Sequence, residues 1–130
     1  MNEQKPMITV LTKSTFLPFV KSEGISAVFF ESESCPACRS FARTFATASI
    51  DQADTRFARV DVQSEQELAQ KLEISHLPTL LIVREGVLVF RQPGDFSAVE
   101  LGAILQQARS VDLAELRARV DESQKGSEAA

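Results

Sequence analysis

Residues 25–45 read ISAVFFESESCPACRSFARTF, and this stretch decides the fold. Ile25 to Phe30 is an apolar run rich in branched and aromatic residues, the composition of a buried central strand. Pro36 then opens a helix, at a position where its missing N–H costs little. Phe41, Phe45 and Ala48 follow at i, i+4 and i+7, so they share one buried helix face. Cys35 and Cys38 lie at the junction, around the start of that helix.

Working outward, Met7 to Leu11 is a short β-rich segment. Ser14 to Glu23 carries Phe16, Leu17, Phe19 and Val20, a helix-like cluster in which Pro18 is expected to kink the helix or delay its start. Gly24 suits a helix stop. Downstream, Phe57 to Val62 alternates, with Ala58, Val60 and Val62 on one side and Arg59 and Asp61 on the other, which is a strand period. Ser64-Glu65-Gln66-Glu67 reads as a capping box, with Leu68 and Leu72 after it at helical spacing. Thr79 to Val83 and Val87 to Phe90 flank Arg84-Glu85-Gly86, the pattern of an antiparallel hairpin. Ser97 to Glu100 is a second capping box, and Phe96 and Leu101 occupy the positions of a hydrophobic staple. Leu101, Ile104, Leu105 and Ala108 make that helix's apolar face.

The resulting order, βαβαβαββα, predicts an α/β fold with a mixed sheet and helices on both faces. Asp112 begins one more helix, carrying Leu113, Leu116 and Val120. The expected organisation is one domain over residues 1–110, a helical extension over 111–120 that docks on it, and a tail over 121–130 that lacks core-forming residues and is disordered.

With 130 residues, 44% hydrophobic and 25% charged, the chain has the make-up of a soluble single domain. Such a chain builds a core without disulfide staples, so its two cysteines are free for chemistry. A net charge of -4 argues against nucleic acid or an anionic membrane as partner, since both call for clustered Lys and Arg. No apolar stretch approaches the roughly 18 residues of a membrane-spanning helix. The N-terminal MNEQKPMITVL has no apolar core or cleavage site of a signal peptide, which sets a cytoplasmic address as the expectation. In a reducing compartment a Cys-x-x-Cys pair is more often catalytic or metal-binding than structural.

The spacing has chemical content. A three-residue offset puts both sulfurs on one helix face, within reach of a small disulfide where the geometry permits. Cys35, at the helix N-terminus, faces unpaired backbone N–H groups and the positive end of the dipole, which favour thiolate over thiol. Cys38 lies one turn deeper and more shielded. Haem attachment would need His after the second Cys, where this chain has Arg39. A closed zinc site wants four ligands, and two cysteines with the single histidine, His76, leave the set incomplete without a carboxylate or a second subunit. No metal and no bound cofactor are expected. Placement between a buried strand and a helix favours redox chemistry.

Four blocks, VFFESESCPAC, FARVDV, ISHLPTLLIVREGVLV and QPGDFS, together resemble the thioredoxin family across residues 25 to 102. The resemblance implies a thioredoxin fold with a central five-stranded sheet and a thiol–disulfide oxidoreductase that reduces protein disulfides. Electrons would come from a reductase or a small thiol. It implies that Cys35 is the exposed nucleophile and Cys38 the resolving cysteine. Pro78 matches the family's cis-proline beside the pair, Leu77 the residue whose backbone holds an extended substrate, and Gly94 a glycine that leaves room for the partner. The family's Trp before the first Cys is Ser34 here, and its buried acid falls at Phe29. Pro36-Ala37 replaces Gly-Pro; a proline after the first Cys resembles glutaredoxins and the periplasmic oxidants, while Leu-Pro-Thr is thioredoxin-like. Glu31, as a proton relay, and His76 are candidates for tuning the thiols. A second reading is a binding or chaperone-like module in which the cysteines are secondary.

Overall fold

The computed structural model describes residues 5–118. Nine elements follow in the order β1 (Ile8–Val10), α1 (Phe16–Val20), β2 (Ile25–Glu31), α2 (Pro36–Asp51), β3 (Thr55–Asp61), α3 (Gln66–Lys71), β4 (Thr79–Arg84), β5 (Val87–Pro93) and α4 (Ala98–Arg109). Past α4, residues 113–118 are helical; Asp112 Oδ1 accepts from Glu115 N at 3.0 Å and Leu116 is buried. Val120 and the expected tail lie outside the described residues.

The strands form one sheet in the order β1-β3-β2-β4-β5. β1 and β2 both run parallel to β3, while β4 is antiparallel to β2 and to β5. This is the mixed five-stranded α/β sheet expected from the element order. β2 sits at its centre, and its side chains alternate between two cores. Ile25, Ala27 and Phe29 join Phe41 and Phe45 of α2 and Leu101 and Leu105 of α4. Val28 and Phe30 join Phe16 and Val20 of α1 and Leu68 of α3. A nearly continuous apolar run is therefore what this strand requires, because neither face meets water; the one polar member of Ile25 to Phe30, the buried Ser26, accepts from Arg56 Nη2 at 2.8 Å.

The structure corrects several local expectations. The helix from Ser14 contracts to Phe16–Val20, with Pro18 in its first turn, where a missing N–H leaves no hydrogen bond unmade. Gly24 does not end it; Lys21 is the C-cap, and Gly24, at φ 86, turns the chain into β2 with its N–H on Glu85 Oε2 at 2.7 Å. Ser64 forms no capping box. Its hydroxyl goes to Asp61 Oδ2 at 3.3 Å, the helix starts later with Glu65 as N-cap, and no side chain caps it. The same motif at Ser97 does form, with both reciprocal hydrogen bonds to Glu100. On β3 the face read as polar also holds Phe57, buried beneath α2; only Arg59 and Asp61 emerge beyond the helix.

The β4–β5 hairpin turns through Glu85 and Gly86, both with positive φ, as a two-residue hairpin turn demands. Arg84 Nη1 donates to the carbonyls of Ala108, Arg109 and Val111, which closes the C-terminal end of α4 against the hairpin. No helix among the described residues is long and apolar enough to cross a membrane.

Candidate active site

The strand register decides what meets at the end of β2. Thr79 lies opposite Phe30 on one side and opposite Pro93 on the other. The residues flanking these pairs, Glu31 to Cys35, Leu77-Pro78 and Gly94, therefore gather at one end of the sheet. Ser32 O accepts from Cys35 N at 3.2 Å, and the Ser32 and Ser34 hydroxyls lie 3.1 Å apart, so the loop makes a tight turn into α2.

Cys35 is the N-cap of α2, with extended backbone angles, and Pro36 takes the first helical position. Its sulfur accepts a hydrogen bond from Cys38 N at 3.1 Å. Sulfur thus fills the place that a Ser or Asp oxygen usually takes, satisfying one of the helix's orphan N–H groups. An anion there is stabilised by that N–H and by the helix dipole together. The two cysteines are joined as a disulfide, with Cα atoms 5.2 Å apart. Cys35 is half-buried; Cys38 is buried, at 2% exposure.

The Leu77–Pro78 peptide bond is cis. Pro78 is fully buried, and its carbonyl accepts from Gly94 N at 2.8 Å, which ties the two groove loops together. Gly94 sits at φ 147, and a Cβ on it would meet the Phe96 ring at 3.4 Å. Its own fold requires glycine there, whatever a partner needs. Leu77 is half-buried against the β2–α1 core. His76 is exposed, and its ring hydrogen-bonds to the neighbouring Ser75 hydroxyl rather than to the cysteine pair.

Phe29, at the position of the family's buried acid, lies in an aromatic cluster. Its ring centroid is 5.3 Å from that of Phe41 and 4.9 Å from that of Phe45. Glu31, the candidate relay, is paired: its Oε1 accepts from Arg59 Nη1 at 2.8 Å. Glu31, Arg59 and Cys38 nevertheless line one cleft of about 660 Å³, together with Arg39. Arg39 and Arg59 escaped the sequence reading. Arg39 Nη2 donates to the Glu33 carbonyl at 3.1 Å, bracing the loop before Cys35 from the second turn of α2.

A family model described as Thioredoxin matches residues 7–107. The chain belongs to the thioredoxin family. It is 39% identical over 114 residues to a putative thioredoxin 2 of Streptomyces coelicolor, covering 88% of this chain and 85% of that one. Among solved structures, thioredoxin F from spinach chloroplast superposes with a TM-score of 0.73 at 26% identity, covering 85% of this chain and 100% of that one. Thioredoxin f2, solved in complex with ferredoxin:thioredoxin reductase, superposes equally well, with a TM-score of 0.73, at 26% identity over 80% of this chain and 96% of that one. With this membership and a bonded cysteine pair at a helix N-terminus, the thioredoxin-family protein described here is a thiol–disulfide oxidoreductase.

Proposed function

We propose that this thioredoxin-family protein reduces protein disulfides, with Cys35 as nucleophile and Cys38 as resolving cysteine. The observation that carries the assignment is the hydrogen bond from Cys38 N to Cys35 Sγ. It marks Cys35 as the sulfur on which negative charge is stabilised, and thiolate is the attacking species. The difference in burial supports the same order, with the accessible sulfur attacking first. Cys35 thiolate attacks a substrate disulfide, forms a mixed disulfide and releases one substrate thiolate. Cys38 then attacks the Cys35 sulfur, the second substrate thiolate leaves, and the Cys35–Cys38 disulfide remains.

Leu77, cis-Pro78 and Gly94 frame the substrate groove in this reading. The backbone of Leu77 receives an extended chain, and the exposed His76 beside it favours the Cys35 thiolate when protonated. Electrons return from a reductase protein or a small thiol. The likeness to a thioredoxin crystallised with its reductase supports a protein donor. A cytoplasmic address belongs to the same proposal, because the chain's two cysteines are both in the motif and a reducing compartment keeps such pairs cycling. Residues 1–110 are read as the catalytic domain and 111–120 as an extension docked through Leu116.

Trapping is the test. A Cys38→Ser variant should accumulate mixed disulfides at Cys35 in cell extract, resolved by mass spectrometry, and Cys35→Ser should abolish reduction of insulin disulfides. Adducts absent from Cys38→Ser, or insulin reduction retained by Cys35→Ser, would sink the assignment.

A further inference from the structure

In the oxidised protein a covalent bond to Cys38 holds the Cys35 sulfur in place, and reduction removes that hold. The thiolate keeps its hydrogen bond only where Cys35 Sγ stays on the Cys38 N–H, so the backbone around Cys35 has to keep its N-cap geometry without the disulfide. The chain enters that cap through Ser32, Glu33 and Ser34, and the last two are exposed. Whatever fixes this loop in the reduced state therefore bears on the first half-reaction.

Arg39 holds the chain on both sides of Cys35. Its Nη2 donates to the Glu33 carbonyl at 3.1 Å, and its backbone N–H donates to the Cys35 carbonyl at 3.4 Å. The Glu33–Ser34 peptide is planar, with its C=O and N–H on opposite sides. Arg39 takes the carbonyl while the Ser32 hydroxyl accepts from Ser34 N at 3.4 Å, so the plane is held from both sides. The next N–H, that of Cys35, goes to Ser32 O at 3.2 Å. Among the described residues, no other side chain from outside the loop hydrogen-bonds to residues 32–34. The other charged groups of the adjoining cleft are engaged elsewhere or stand at its rim. Glu31 pairs with Arg59, Asp61 accepts from Gln63 N, Glu65 accepts from Lys13 N, and Glu33 is exposed. Arg43, one turn further along α2, is exposed and makes no ion pair among the described residues.

We infer that Arg39 is a positioning residue for the nucleophile: by holding the Glu33 carbonyl it keeps Cys35 in N-cap geometry once the disulfide is open, so that the sulfur stays on the Cys38 N–H as thiolate. The inference rests on the assignment of Cys35 as nucleophile proposed above. The hydrogen bond is charge-assisted, because an ionised donor meets the carbonyl. A neutral, non-donating side chain at residue 39 leaves the 33–34 peptide free to rotate, and Cys35 then titrates more nearly like an ordinary cysteine. The effect belongs to the reduced form, since in the oxidised form the bond to Cys38 fixes the sulfur by itself.

Alkylation of the reduced protein by iodoacetamide tests this, because the reagent is uncharged, reacts with thiolate, and leaves a label that mass spectrometry assigns to one cysteine. Measured against pH, the rate at Cys35 traces its thiolate. In Arg39→Met the curve should move to higher pH, with alkylation about threefold to tenfold slower near pH 6. At about pH 10 it should be no slower, since both proteins are then thiolate and a more basic sulfur is the better nucleophile. A merely structural loss would instead lower the rate at every pH. Arg39 is exposed, so circular dichroism should report the same fold. Arg39→Lys, which keeps a cation and a donor, should recover most of the difference. Arg43→Met removes the same charge without touching the loop and should slow alkylation less than about twofold near pH 6. An Arg39→Met curve that coincides with that of the unmodified protein overturns the inference, as does an equal displacement in Arg43→Met, which would leave charge alone as the cause. Failure of the underlying assignment looks different: iodoacetamide would then label Cys38 rather than Cys35 in the unmodified protein.

Discussion

Phe41→Ala is the substitution whose cost the structure specifies most closely. Phe41 is fully buried, one helical turn past Cys38, on the face that α2 turns to the sheet. Its ring centroid lies 5.3 Å from Phe29, 5.6 Å from Phe45 and 6.0 Å from Phe96. Removing the ring forfeits about 2–3 kcal/mol of transfer free energy. Lost contacts with three rings, two of them edge-to-face, add about 1–2 kcal/mol. The neighbours are themselves ring-filled and held by strand and helix, so the cavity closes only in part, and about 4 kcal/mol is expected, inside the usual range for Phe→Ala. With a urea dependence of about 2 kcal/mol per molar, the unfolding midpoint should fall by about 2 M. The chain has neither Trp nor Tyr, so far-UV circular dichroism is the probe, with the disulfide kept oxidised throughout. Phe96→Ala, at a half-buried ring, should lose distinctly less. A midpoint drop below about 0.5 M for Phe41→Ala would mean that the aromatic layer beneath the cysteines is not what holds α2 in place.

Two further outcomes follow from single contacts. Gly94→Ala forces a side chain into positive φ against the Phe96 ring and should cost about 1–3 kcal/mol in the same urea titration, with KM for a disulfide substrate rising because the Pro78–Gly94 bridge is disturbed; unaltered stability and KM would refute it. Asp54, chiefly through its hydrogen bonds from Arg109, is held below its ordinary value of 3.8, so the pair's contribution is complete above that pH and is lost as pH falls through the lower folded value; acid unfolding of Asp54→Asn should lack this share of the pH dependence, and identical acid profiles would count against it.

How much of this was legible in the sequence depended on whether a signal was local. The β2–α2 junction was, since an apolar run, a proline and the Phe41–Phe45 spacing each act within a few residues. The hairpin and the α4 capping box were legible for the same reason. The Ser64 box was not, because Asp61 lies close enough to take its hydroxyl, and only the observed turn shows which acceptor wins. Phe57 was hidden by an alternation whose polar members emerge only past the end of the helix cover. Arg59 could be placed on a face but not beside Glu31, since that contact depends on β2 and β3 pairing with Phe29 opposite Arg59 and Glu31 opposite Asp61. Arg39 escaped because its partner is a backbone carbonyl, which carries no sequence signature.

The two half-reactions draw on different parts of this fold, and that division explains where the chain departs from its family. Attack by Cys35 needs a helix N-terminus with a free N–H, a device that Pro36 and the turn at Ser32 supply within a few residues. With Ser34 in place of the family's Trp, the N-cap and the hydrogen bond to Cys35 Sγ are both present. Resolution falls to Cys38, which is buried and lines the cleft between β2, β3 and α2. Phe29, in place of the family's acid, packs its ring against Phe41 and Phe45. A carboxylate returned to that position would be buried among Phe41 and Phe45 without a partner, at a cost of several kcal/mol in its charged form. At the cleft the Glu31–Arg59 pair spans two strands at the edge of solvent, where a charge can be held without that penalty. On this argument charge belongs at the cleft and not beneath α2: an acid placed at residue 29 would damage the fold, whereas the Glu31–Arg59 pair is held at the edge of solvent.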